Sequence, residues 1–274
     1  MIRNSKTESY QISIITLVPF LLITFIFAWA IIGSYIFMPD KMVNIFGELT
    51  GEHPLFFLAV YSPAIAAIFV VGYNSGIKGL RDYFSRLLIW HSTKSWYTFL
   101  IVGIPFIFIT GSALKGNLFT EPFQFSSLSS ILMAFLLTAI KGPIEELGWR
   151  GVMLPLLQRK FSPIYSSIFL GITWGLWHLP AFLLSGTPQG AWSFTPFFFG
   201  AIALSIIVTA LFNKSKGSIL LPMLFHFFLN NPIWPDAQPY DIYLFIIVAF
   251  LVIWFNRKIM FNKEEAVTRV IPLR

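Results

Sequence analysis

The sequence predicts an all-α, polytopic membrane helix bundle of about eight transmembrane helices, with both termini cytoplasmic. Three observations carry that prediction. Of 274 residues, 56% are hydrophobic and 11% charged, and 31 are Phe, whereas a soluble domain holds about 25% charged residues. Apolar runs long enough to cross about 30 Å of hydrocarbon, roughly 20 residues each, recur along the chain. The Lys and Arg behind the net charge of +7 sit in alternate connections between those runs. That is the positive-inside pattern, not a phosphate-binding stripe, so the expected partner is the lipid bilayer and no nucleic acid is expected. There is no cysteine, which removes disulfides, thiolate catalysis and thiolate metal sites together.

The first apolar run, at about 13–38, exceeds the 7–15 residues of a signal-peptide core and is expected to be a first span. Further spans are expected at about 54–73, 96–113, 128–158, 162–185, 193–213, 216–231 and 240–257. The fourth is too long for a simple crossing and should tilt, or break near Gly142-Pro143 where the ring removes a backbone donor. The seventh is short, as suits a helix packed inside the bundle. Arg3 and Lys6 precede the first span; Lys78, Arg81, Arg86 and Lys94 follow the second; Arg159 and Lys160, Lys214 and Lys216, and Arg257, Lys258 and Lys263 follow the fourth, sixth and eighth. All these connections fall on one side, which orients the chain.

Between Gly76 and Trp96, Leu80, Tyr83, Phe84, Leu87, Leu88 and Trp90 alternate with basic residues at helical spacing. This reads as an interfacial amphipathic helix, the alternative being an extension of the third span. Trp96, Tyr97, Trp192, Trp234 and Tyr240 fall at expected span ends and suit an aromatic belt. The segment from Phe261 to Arg274 is mixed in charge and reads as a solvated extension. No repeat or composition break appears, so residues 1–274 are expected to form a single integral membrane domain, with a motif-bearing core at about 128–231.

That core contains Lys141-Gly-Pro-Ile-Glu145-Glu146-Leu-Gly-Trp-Arg150-Gly151, four charges inside an apolar span. Each would cost roughly 2.5–3.5 kcal/mol at the centre of a bilayer helix unless paired. On a continuous helix Glu146 and Arg150 share a face, as do Lys141 and Glu145, while the two glutamates diverge by about 100°. One carboxylate is then free for chemistry while the other serves structure; two helix-locking salt bridges without catalysis are the alternative.

Four histidines are present. His53 and His91 fall in connections and read as surface residues. His178, in Trp174-Gly-Leu-Trp-His178-Leu-Pro180, and His226, in His226-Phe-Phe-Leu-Asn230, lie within apolar spans, and Asn230 shares a helical face with His226. No His-Glu-x-x-His, Gly-x-Ser-Gly or Gly-x-Gly-Asp occurs, and Tyr240-Asp241 lacks a second membrane aspartate. What remains is Glu145, Glu146, Arg150, His178, His226 and Asn230: a carboxylate base, imidazoles and an amide donor. Such a set can activate water and stabilise a tetrahedral oxyanion, the demand of peptide hydrolysis.

Taken in order, Glu145-Glu146-x-x-x-Arg150, Trp174-x-x-x-His178 and His226-x-x-x-Asn230 resemble the three motifs of the CAAX-protease and bacteriocin-processing (CPBP, or Abi) family, which includes the type II CAAX prenyl proteases. Trp149 stands where many members have Phe. The resemblance implies that Glu145 activates water with His178 assisting, that His226 and Asn230 receive the oxyanion, and that Glu146 and Arg150 form a structural pair. In its alternative form Glu145, His178 and His226 hold a metal, zinc being the candidate. No cofactor is expected, because two ligands on one rigid element are missing and the neighbours of His178 offer few acceptors to orient it. Lys141, one turn before Glu145, would compete with the base unless it lines the entrance. The expected function is an intramembrane endopeptidase in the cell membrane of a bacterium, acting on a membrane-associated peptide such as a pheromone or bacteriocin precursor. The alternative is a non-proteolytic protein that binds an ion or sequesters a bacteriocin-type peptide, giving self-immunity.

Overall fold

The computed structural model describes residues 12–120 and 127–272, and within them every regular element is helical. Six stretches are long and apolar enough to cross a membrane: Ile14–Phe37, Ser62–Leu88, Lys94–Lys115, Leu128–Gln158, Pro163–Leu183 and Phe194–Lys214. Two shorter apolar helices, Leu220–Leu229 and Tyr240–Phe255, complete the set of eight. The principal α-helices are labelled α1 (Leu17–Phe37), α2 (Ser62–Phe84), α3 (Ile104–Lys115), α4 (Leu128–Ile140), α5 (Pro163–Trp177), α6 (Phe194–Lys214), α7 (Leu220–Leu229) and α8 (Tyr240–Phe255). Arg3 and Lys6, on which the expected orientation partly rests, lie outside the described residues.

Burial follows side-chain spacing. In α1, Phe20, Thr24, Ala28, Ile32 and Tyr35 are buried, one face at intervals of three and four, while Ile15, Val18, Leu22 and Ile26 around it face outward, as lipid-facing apolar residues do. The facing part of α2 is built from Ala64, Ala66, Ala67, Val70 and Val71, small enough for backbones to approach. Between α5 and α6 the same device is sharper. A Cβ on Gly171 would lie 2.6 Å from Cα of Ile202, and one on Gly175 would lie 2.8 Å from the Phe198 ring. This small-x-x-x-small pair sets the crossing that positions the end of α5, where His178 caps the helix.

Two expectations for the polar ends are corrected in part. The segment after Gly76 is helical and is not an extension of the third span. It continues α2 beyond a bend at Gly76 (φ 61°), and Arg86 is buried, giving its Nε to the Gly217 carbonyl at 2.7 Å and Nη1 to the carbonyls of Gly151 and Val270 at 3.1 and 3.0 Å. Three main-chain carbonyls from separate segments converge there, and only a guanidinium has enough fixed donors to serve them together. The C-terminal segment is exposed over residues 261–265 as expected, but from Val267 to Ile271 it is bonded to the bundle. Gln158 donates to the Val267 carbonyl at 2.8 Å, Val267 N–H to Asn213 Oδ1 at 2.9 Å, and Arg159 Nε to the Thr268 carbonyl at 2.8 Å, while Val270 and Ile271 are buried.

Candidate active site

The fourth span breaks where its proline stands. Helix α4 starts on a reciprocal Ser127–Ser130 cap and ends at Ile140; Lys141 leaves helical geometry (φ −88°, ψ −87°), Gly142–Glu145 form a 3-10 turn, and Glu146–Gly148 resume the α-helix. A π-turn over Trp149–Met153 follows, a widened geometry common beside functional sites. The break cancels the expected shared face of Lys141 and Glu145. Lys141 instead turns to a neighbouring connection, its Nζ 3.3 Å from the Gly51 carbonyl and over the Phe57 ring, and it lines the cavity that Glu145 also lines.

Glu145 is 4% exposed. Its Oε2 accepts the indole N–H of Trp174 at 2.8 Å and that of Trp149 at 3.3 Å. Neither donor was assigned from the sequence, where both residues counted only as aromatic motif positions. Trp174 is the hub: its ring meets His178 edge-on at 5.5 Å and His226 at 5.7 Å between centroids, and the Arg150 guanidinium lies over it at 5.3 Å. One side chain therefore fixes the spacing of base, imidazoles and guanidinium.

Glu146 and Arg150 form the expected pair, Nη1 to Oε1 at 2.9 Å with both side chains buried. The same Oε1 also lies 2.9 Å from His226 Nδ1, a contact across 80 residues that helix periodicity could not reveal. A carboxylate accepts, so Nδ1 of His226 carries a proton and its Nε2 points elsewhere. For His178 the acceptor is the Trp174 carbonyl, 2.8 Å from Nδ1; a main-chain oxygen can only accept, so here too Nδ1 holds the proton and Nε2 is free. The shortage of orienting acceptors expected at His178 is thus corrected: the helix supplies one from its own backbone.

Nε2 of His226 and Nδ2 of Asn230 meet over Gly142. A Cβ there would lie 2.8 Å from Nε2 and closer still to Nδ2, so glycine leaves the space that both groups face. Asn230 caps α7, its N–H donating to the His226 carbonyl, and the two residues stay on one side as their spacing required. Glu145, His178, His226 and Asn230 all line one cavity of about 490 Å³, with Trp174, Lys141 and Gly142. Glu146 and Arg150 stand behind its wall. Trp192 and Trp234, expected in an aromatic belt, line this cavity instead, and Trp96 is buried. His53 is structural: Nδ1 accepts from Leu55 N–H at 3.1 Å and Nε2 reaches the Phe46 carbonyl at 2.9 Å.

Among the described residues no group of three His, Cys, Asp or Glu side chains is arranged to hold a metal ion, and the Glu145 oxygen named above is already held by two indoles.

The comparisons with known proteins fall on this constellation. The model of the Rce1-like type II CAAX prenyl endopeptidases matches residues 127–231, a stretch that contains Glu145, Glu146, Arg150, His178, His226 and Asn230. Over 176 residues the chain is 31% identical to the CAAX prenyl protease 2 of Methanococcus maripaludis, a match covering 60% of this chain and 62% of that relative's length. With its six membrane-length helices the chain is a multi-pass membrane protein, and its stretch 127–231 is similar to the Rce1-like type II CAAX prenyl endopeptidases.

Proposed function

We propose that this protein is an intramembrane endopeptidase that hydrolyses a peptide bond of a membrane-associated peptide. The observation that carries the reading is the single cavity onto which Glu145, His178, His226 and Asn230 all open. Glu145 takes a proton from water while its second oxygen contact, the pair of indole N–H groups, holds the carboxylate in place. His178, with its Nδ1 proton given to the Trp174 carbonyl, offers Nε2 as the assisting base. His226, its Nδ1–H given to the Glu146 carboxylate, and the Asn230 amide face the space over Gly142 and form the cradle for the tetrahedral oxyanion. The proton taken by Glu145 then passes to the departing amine. No step is routed through a metal.

The relative's name supports a CAAX-type substrate for that relative. For this chain we infer a short membrane-associated peptide, such as a pheromone or bacteriocin precursor. Comparing membrane-peptide profiles of an intact strain with a Glu145→Gln strain tests this: a precursor should accumulate in the mutant with its product absent. Identical profiles, with the variant protein present at normal abundance, count against it.

A further inference from the structure

The cavity that holds Glu145 has a second carboxylate that the proposed chemistry does not use. Asp241, in the first turn of α8, lines it and is 5% exposed, and its Oδ1 is buried without a hydrogen-bond partner. Its main chain is fixed, with its N–H on the Ala237 carbonyl at 3.1 Å and Gly111 of α3 packed so closely that a Cβ there would lie 3.0 Å from that nitrogen. Asp236, also on the cavity wall, is paired with Lys115 at the rim, so that pair is already neutral. Among the described residues Asp241 is left without an ion-pair partner of its own, with the first-turn amides of α8 to favour it. A buried carboxylate in such a place lowers stability unless a donor reaches it.

We propose that Asp241 is a specificity-determining residue that receives the cationic side chain, Lys or Arg, of a peptide bound in the cavity. The proposal rests on the peptide-hydrolase reading only in naming the ligand a peptide. Among the described residues the two lysines nearest this region are already engaged: Lys141 is turned to Gly51 and Phe57, and Lys115 is held by Asp236. A ligand ammonium or guanidinium would supply the missing charge-assisted bond and raise affinity by about tenfold or more.

The test separates binding from cleavage. Apolar pentapeptides, capped at both ends and carrying either lysine or norleucine at each position in turn, are titrated against the purified full-length Glu145→Gln protein by quenching of the cavity tryptophans. At one position lysine should bind about tenfold more tightly than norleucine. Adding Asp241→Asn, or Asp241→Ser should the Asn protein not be monodisperse, should bring that ratio near one, while Asp241→Glu keeps it. No lysine preference at any position, no binding at all, or a preference that survives loss of the charge overturns the proposal; a variant that melts earlier yet keeps the preference makes Asp241 only a helix-terminal acid. The same peptides are then offered to the wild-type protein in liposomes. Lysine-selective binding without any cleavage sinks the hydrolase reading alone, and cleavage without lysine preference sinks the Asp241 proposal alone.

Discussion

At the residue scale the account turns on which atoms hold the Glu145 carboxylate and the two imidazoles. Trp174→Phe keeps an aromatic ring at the site and removes the 2.8 Å indole hydrogen bond to Glu145. Hydrogen bonds to charged groups contribute about 1.5–3 kcal/mol, so kcat/KM of the purified variant should fall roughly tenfold to a hundredfold while its melting temperature is kept; equal activity would show that the indole only fills space. Arg150→Ala should behave oppositely. It strands a buried carboxylate at about 3–5 kcal/mol, and the loss should appear as depleted protein in the membrane fraction. Normal abundance with abolished activity would instead place Arg150 in the chemistry. The sequence made Glu145, His178, His226 and Asn230 legible, because charged and imidazole groups in apolar spans stand out against their surroundings. It hid the Glu146–His226 contact and the Trp149 and Trp174 donors, because helix spacing tells which residues share a face but not which residues of a distant span meet that face.

At the element scale, the decisive feature is the turn from Lys141 to Glu145. The proline marked the break in advance, yet the i,i+4 relation drawn across it failed, because a 3-10 turn following a non-helical residue rotates Glu145 away from Lys141. Gly142→Ala tests the turn directly. Its methyl group would enter the space shared by His226 Nε2 and Asn230 Nδ2, so cleavage should be lost in a protein that still folds and still binds peptide. Retained cleavage would mean that these two groups do not act together over Gly142. The Arg86 node was also invisible from sequence, since a basic residue beside an apolar span reads as an interfacial charge until the segments that it gathers are seen. Arg86→Ala leaves the carbonyls of Gly151, Gly217 and Val270 without this donor. At about 1–3 kcal/mol for each unsatisfied buried group, thermal unfolding in detergent should shift down by several degrees or more, whereas an unchanged transition would make the node dispensable.

Across the whole molecule, α1 and α3–α8 line one cavity that brings Glu145, His178 and His226 from three separate spans onto a common space. Among the described residues six helices are long and apolar enough to cross a membrane, where eight spans were expected, and run length made them readable because the bilayer sets that length. The C-terminal strap was not, since a short mixed-charge segment looks solvated until Gln158, Arg159 and Asn213 are found waiting for its backbone. The central claim is that Glu145 activates water for peptide hydrolysis from within this cavity, without a metal in the reaction path. The most direct measurement reconstitutes the purified full-length protein in liposomes with the membrane-peptide pool of its own host, in water enriched in oxygen-18, with and without exhaustive chelation. Wild-type protein should generate new peptide carboxyl termini carrying one heavy oxygen, chelated protein should do the same, and Glu145→Gln should generate none while melting at an unchanged temperature. Labelled products from Glu145→Gln at the wild-type rate, or products that vanish on chelation and return with zinc, would contradict it.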